Sequence, residues 1–409
     1  MTAAFGAIAP GTDLPSHARE LQRIHDAVLG GARPPARPRA LVARSWSRML
    51  AMGLDPDRNT REHLPASEIE RLRHESPFSL VIDELRTVLT SVADASRFLV
   101  VVCDADGIVL WREGSARVRV VADQLGFAEG ARWTEQVVGT NAIGTALAER
   151  APVELFSAEH FEHTQHPWYC TAAPVHDPRT GDLLGVVDVS GPALTLHPAI
   201  GSLVQSAVRL AEARLWRLHQ DRLDQLRRAS EPLLGAQSGP LLVVDDHGWV
   251  AHHSGIAARD RIEVPRADRA VAVPGLGLCL PERITSGGAP ANGGVAGGGW
   301  LIRPRDRTGA IAARLDLTGE PTLEVRSDDT SWRTSLTRRH AQILRVLSEA
   351  GVDGVTAGHL STVLFGDAKH AVTVRAEISR LRRVVGALVT PNPYRLADGV
   401  TITVSEPGP

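Results

Sequence analysis

Apolar residues recur along this chain with two periods, and the switches between them mark out its elements. Leu21, Ile24 and Val28 share one face of a helix predicted over Pro15–Gly30. Ala32 to Arg39 (ARPPARPR) breaks that pattern and reads as a solvated linker. Helical spacing returns in Leu41–Met52, ended by Gly53 and the turn Asp55-Pro56-Asp57. It appears again over residues 78–96, through Leu80, Leu85, Val88, Leu89 and Val92. Phe98–Cys103 is predicted as a strand, Asp104-Ala105-Asp106-Gly107 as a turn, and Ile108–Trp111 as its hairpin partner. In Gly139–Leu147, Ile143 and Leu147 stand four apart on one helical face, and glycine and alanine allow close backbone approach. Asp177–Asp182 (DPRTGD) is turn chemistry, and the branched aliphatic run Leu183–Val189 is a buried strand. A long helix over Pro198–Ala229 spaces Val204, Val208, Ala211, Leu215 and Leu218 as a heptad seam. That seam fits packing on the chain's own sheet, or a parallel dimer helix that carries a signal outward.

Beyond Gly235 the pattern becomes mostly strand-like. Pro240–Val244 and Trp249–Ala251 flank the turn Asp245–Gly248. The loop Gly287–Gly299 leads into a strand at Trp300–Arg303, and Leu315–Leu317 and Leu323–Val325 form a further pair. Helical spacing resumes in Thr337–Ala350, with Thr337 as N-cap and Gly351 as stop. Thr356 caps a second helix through Leu360, Val363 and Leu364, and a third runs from Thr373 to Val385. Tyr394–Leu396, the turn Ala397–Gly399 and Val400–Val404 are predicted as a terminal hairpin.

At 409 residues the chain exceeds one ordinary core, so several domains are expected. With 43% hydrophobic and 22% charged residues it is globular in composition, and a net charge of −2 confines any nucleic-acid surface to a local patch. From residue 331 onward ten Lys/Arg face six Asp/Glu, a local positive excess. Three cysteines make no disulfide framework, no run is long and apolar enough for a membrane span, and no export signal is evident. A cytoplasmic location and no membrane partner are expected.

The strings WTEQVVGTNAIGTAL, AEHF, the cysteine before AAPVHDP, and LLGVVDVSG resemble the GAF sensor domain at the front of acetoin-catabolism regulators, over roughly residues 75–225. RSWSRMLAMGLDP resembles the segment preceding that domain in the same family. The resemblance implies a six-stranded antiparallel sheet with helices and a small-molecule pocket. In such a pocket Trp133 and Trp168 would be walls, and Asn141, Thr145, His160 and Cys170 would be donors and acceptors. TVRAEISRLRRVVG…NPYRL resembles the effector domains of winged-helix transcription regulators. No GxxxxGK[ST] loop occurs, which departs from the full regulators and their central ATPase; ATP-driven activation is not expected.

The expected architecture is α+β and multidomain. It comprises a helical segment (1–74), a GAF sensor with its dimer helix (75–230), a β-rich connector (235–330) and a winged helix (331–409). On the third helix, Val374, Ile378, Leu381 and Val385 form one apolar stripe, and Arg375, Ser379, Arg382 and Arg383 lie opposite. A recognition helix needs that division. Thr373 opens this helix, and Arg395 on the hairpin is placed to touch phosphates. His160, His163, His166 and Cys170 have spacings that suit zinc or iron, but Pro167 interrupts them and only His160 and Cys170 fall on the family motif. No metal and no cofactor is expected. The favoured function is a homodimeric, non-enzymatic regulator that binds double-stranded DNA and a small-molecule effector. The alternatives are a redox or metal-dependent GAF-fold enzyme or sensor using Cys170, and a signalling adaptor that binds no DNA.

Overall fold

The computed structural model describes residues 6–57, 61–92, 98–235, 239–257, 259–284, 298–304, 311–326 and 331–406. The expected glycine-rich loop before Trp300 lies largely outside them. The chain divides into two compact units, Met1–His219 and Gln220–Pro409.

The first unit opens with helices α1 (Leu14–Leu29), α2 (Ala40–Ala51), α3 (Ala66–Glu75) and α4 (Ile82–Val92). Asp13 caps α1 through the Ser16 amide, and Pro15 follows it inside the first turn. The hairpin β1 (Leu99–Asp104) and β2 (Val109–Gly114) turns on Asp104, whose carboxylate accepts from the amides of Asp106 and Ile108. After it come α5 (Ala116–Asp123), α6 (Glu135–Val138), α7 (Ala142–Glu149), β3 (Val153–Phe156), β4 (Trp168–His176) and β5 (Leu183–Pro192). The strands make one antiparallel sheet in the order β2-β1-β5-β4-β3. Among the described residues it has five strands, where six were expected. Between α5 and α6 the chain makes only isolated bridges, Ala131 to His63 and Arg132 to Ile108, where a further strand would lie.

One core holds this unit together. Leu21, Ile24, Val42, Trp46 and Met49 from α1 and α2 are buried in it beside Val101, Leu155 and Val187 of the sheet. The expected boundary near residue 74 therefore crosses a continuous core. The long helix α8 (Ile200–Gly235) begins here, and Val204, Val208, Ala211 and Leu215 are buried within the same core. Four of the five seam residues are thus occupied by the chain's own unit, which favours packing on its own sheet over the dimer-helix reading.

In the second unit β6 (Leu241–Val244), β7 (Val250–Ser254), β8 (Val271–Val273), β9 (Gly277–Cys279), β10 (Glu282–Ile284) and β11 (Gly299–Ile302) come first. The β6–β7 turn is closed by Asp245, which accepts from the amides of His247 and Trp249 at 2.9 and 2.8 Å. The next strands are β12 (Ile311–Asp316), β13 (Thr322–Arg326) and β14 (Ser331–Ser335), then α9 (Arg338–Ala350), α10 (Ala357–Phe365) and α11 (Ala371–Val385). Thr337 and Thr356 cap α9 and α10 through the amides of His340 and His359, and Gly351 at φ 59° ends α9. The chain finishes in β15 (Val389–Thr390), β16 (Arg395–Leu396) and β17 (Val400–Ser405).

The expected terminal hairpin does not form. β16 pairs back with β15, Tyr394 bridges to Val355, and β17 joins β12 in parallel within a sheet ordered β14-β13-β12-β17. The register explains this choice. Val400, Ile402 and Val404 face the same way as Ile311, Ala313 and Leu315, so pairing with β12 continues one apolar face. Residues 311–326, expected in a separate connector, thus share a sheet and a core with the three helices.

Candidate functional site

The motif WTEQVVGTNAIGTAL folds into a polar socket for α2. Glu135 is buried and accepts from Ser45 Oγ at 2.5 Å, Thr145 Oγ1 at 2.8 Å, and Arg48 Nε and Nη2 at 2.8 Å each. Thr140 Oγ1 lies 2.6 Å from Ser45 Oγ. Gly144 permits this closeness, since a Cβ there would stand 2.5 Å from the Glu135 amide nitrogen. Asn141 caps α7: its Oδ1 accepts from the Gly144 amide, and its Nδ2 donates to the Gly139 carbonyl, both at 2.9 Å. Its amide functions and the Thr145 hydroxyl therefore serve the fold. The expectation that they face a ligand finds no support in their partners.

The AEHF motif makes a second clamp. Glu159 accepts from the Phe156 amide at 3.0 Å and forms a two-point ion pair with Arg39 at 2.6 and 2.8 Å. Trp46 Nε1 donates to the Glu159 carbonyl at 3.1 Å. Arg39, expected in a solvated linker, thus ties the start of α2 to the segment after β3. His160 is fully buried, with Nδ1 2.9 Å from the Ser157 carbonyl and no hydrogen-bond partner for Nε2. Burial holds this imidazole down at about 4, so it stays neutral near pH 7.

The sheet supplies a different polar group. Register places Trp168 and Cys170 of β4 on one face with Asp188 and Ser190 of β5. Ser190 Oγ lies 2.5 Å from Asp188 Oδ2 and 3.1 Å from Cys170 Sγ. The hydroxyl has one proton for two neighbours, so the thiol or a protonated Asp188 must supply the second. Asp188 is fully buried, its Oδ1 has no hydrogen-bond partner, and burial pushes its carboxyl up to about 7. The Cys170 thiol is pushed well above its ordinary value by burial and by Asp188. A reactive thiolate needs the opposite environment, which weighs against Cys170 as a redox nucleophile.

The structure thus separates the expected pocket residues. Trp168 and Cys170 sit together, Asn141 and Thr145 belong to the α2 socket, and His160 is buried within the loop after β3. Trp133 is buried with its ring centroid 4.0 Å from that of Phe127. Cys170 does not converge with His160, His163 and His166 on a metal position. Sequence reasoning missed Asp188 and Ser190. Their signal was two polar residues spaced by two inside an otherwise aliphatic strand.

In the second unit, Val374, Ile378, Leu381 and Val385 of α11 are buried, and Thr373, Arg375, Ser379, Arg382 and Arg383 are exposed. Arg375, Arg382 and Arg383 make no ion pair among the described residues, whereas Arg380 pairs with Glu377. Arg395 differs from expectation, being half-buried and paired with Asp398.

Comparison with known proteins places the chain. An uncharacterized 47.3 kDa protein encoded in the thcA 5′ region of Rhodococcus erythropolis is 31% identical over 411 residues, covering 98% of this chain and 74% of that protein. The chain belongs to that protein's family. Residues 17–212 also match the family model of the MimR N-terminal domain. The acetoin dehydrogenase operon transcriptional activator AcoR of Bacillus subtilis is 34% identical across 48% of this chain and 33% of its own length. The propane 2-monooxygenase operon transcriptional activator MimR of Mycolicibacterium smegmatis is 30% identical across the same shares. The alignment thus spans about a third of each activator. The MimR-type match begins inside α1 and includes α2, in keeping with their place in the core of the first unit. Homology to activators of this type supports a transcription regulator. Among the described residues no helix is long and apolar enough to cross a membrane.

Proposed function

We propose that this protein is a ligand-responsive transcription regulator whose first unit senses a small molecule and whose second unit binds double-stranded DNA as a winged helix. The observation that carries the DNA reading is the division of α11. Its apolar stripe is anchored in the core, and three guanidinium groups without ion-pair partners among the described residues stand on the outer face. Unpaired arginines on an exposed helix face suit phosphates and guanine edges. Relatives named as operon activators supply the biological setting. Arg395 is assigned a lesser role, because contact with phosphate would require it to leave Asp398.

For the sensor we assign the effector to the sheet face carrying Trp168, Cys170, Asp188 and Ser190. A buried carboxyl oxygen without a protein partner is the group that a small polar ligand would satisfy. GAF-type recognition of an effector is the inference here. Engagement of two half-sites would need a homodimer, and with the α8 seam buried that contact must use another surface. Effector binding changes DNA affinity only if it distinguishes two arrangements of the protein. Genome-wide capture of bound DNA, followed by footprinting of the recovered sites, tests the assignment. Enrichment of discrete promoter regions supports it, and recovery of no DNA above background contradicts it.

A further inference from the structure

The loop after β3 brings its histidines to α1. His25 is buried on α1, and its ring meets those of His163 and His166 edge to face at centroid distances of 5.1 and 4.6 Å. His25 Nε2 lies 3.0 Å from the Phe161 carbonyl oxygen. A carbonyl only accepts, so Nε2 carries the proton and Nδ1 of the neutral ring presents a lone pair. That lone pair stands 3.4 Å from Asp26 Oδ1, a second acceptor. Asp26 Oδ1 is itself held by Gln22 Nε2 at 2.8 Å, and Gln22 Oε1 is held by His166 Nδ1 at 2.8 Å. Two acceptors fixed face to face are relieved by a cation between them. Their separation is close to the edge of a tetrahedron around an ion with bonds of ~2.0–2.1 Å.

His163 completes the group. Its Nδ1 lies 2.7 Å from Asp57 Oδ1, so the carboxylate orients the ring and Nε2 remains for a ligand. One ligand atom from each of His25, Asp26 and His163 lies within 4.8 Å of the other two. We propose that these three residues bind a divalent transition-metal ion of the zinc or iron(II) class, tying α1 to the loop between β3 and β4. Two imidazoles and one carboxylate suit such ions over calcium or magnesium, which prefer all-oxygen sites. His25 is the fixed, buried ligand, and Asp26 and His163 are partly exposed, which lets the ion enter and leaves water to fill the remaining positions. The loop is firm enough to present its ligand, since Glu162 accepts from Gln165 Nε2 at 2.9 Å and pairs with buried Arg61.

The test uses the full chain stripped with a chelator and titrated with Zn²⁺ against a chromophoric competitor, with Co²⁺ as the spectroscopic probe. One zinc per chain and visible ligand-field absorption of the cobalt form are expected, with a rise in Tm on zinc addition. His163→Gln and Asp26→Asn, at partly exposed positions where the fold is retained, should remove all three signals. Asp57→Asn should weaken zinc by ~10–100-fold through loss of the orienting carboxylate. His252→Gln on β7 should change nothing. Absence of zinc binding by the wild-type chain at micromolar metal overturns the site. So does zinc binding that survives both His163→Gln and Asp26→Asn, or that disappears with His252→Gln.

Discussion

Asp188→Asn probes the sheet-face group through the pH dependence of stability. Burial raises this carboxyl from about 3.8 to about 7, with the Ser190 hydrogen bond opposing the rise. A carboxyl whose folded pKa lies above its unfolded value favours folding fully at low pH. That contribution is lost as pH climbs from about 4 through about 7, because the unfolded chain ionises first. A displacement of ~3 pH units at ~1.4 kcal/mol each gives a penalty on the order of 4 kcal/mol above pH 7. Asparagine keeps the shape and cannot ionise, so it should remove most of this slope. His160 titrates near 4 in the fold and contributes the opposite trend, growing weaker as pH falls below about 6.5. The quantity to measure is therefore the difference between variant and wild type. Urea unfolding at pH 5, 6, 7 and 8 should show the variant's advantage over the wild type growing from pH 5 to pH 7 and levelling off by pH 8, with the two stabilities converging only below about pH 4. Parallel stability curves across this range would refute a buried, late-ionising Asp188.

Other substitutions separate structural from functional roles. Asn141→Ala removes the α7 cap and the bond to the Gly139 carbonyl, and should cost ~1–2 kcal/mol in denaturant unfolding. Glu135→Gln removes the charged group that two Arg48 nitrogens donate to, leaving Arg48 only Glu149, and disturbs the donors from Ser45 and Thr145; a loss of ~2–3 kcal/mol and easier proteolysis within α2 are expected. Leu215→Glu places a carboxylate in the first unit's own core, so Tm should fall while sedimentation of the folded fraction stays as in the wild type. Asp188→Asn should also diminish effector-induced thermal stabilisation once an effector is known, and an undiminished shift would place the ligand elsewhere.

Local rules were readable where a short stretch carried its own signal. Thr337, Thr356 and Gly351 announced helix ends because capping depends on neighbours within one turn. The α11 stripe was equally legible, since spacing alone fixes which side chains share a face. What spacing cannot give is the partner. The seam on α8 has the pattern of a dimer helix and of a helix lying on its own sheet, and burial within one chain favours the second. β17 was assigned to β16 across a short turn, yet its apolar face matched β12 far back in the chain. Asn141 and Thr145 were polar residues in a family motif, which is not the same as ligand contacts; Asn141 sits where an N-cap is preferred, and that signal was in the sequence. His163, in the loop whose histidine spacing drew notice, lies near His25 and Asp26 of α1, which no local motif connects to it.

DNA reading by α11 is tested by the binding of captured promoter fragments to the full chain with and without Arg375→Ala, Arg382→Ala and Arg383→Ala together. Fluorescence anisotropy over a range of salt gives both affinity and its slope. A lost or strongly weakened complex is expected, with the salt slope reduced by ~0.9 for each phosphate contact removed. An arginine on a base edge should instead cost ~1–3 kcal/mol and relax specificity at one position. Unchanged affinity and unchanged slope in the triple variant, with its fold intact by circular dichroism, would contradict the assignment of this helix to DNA.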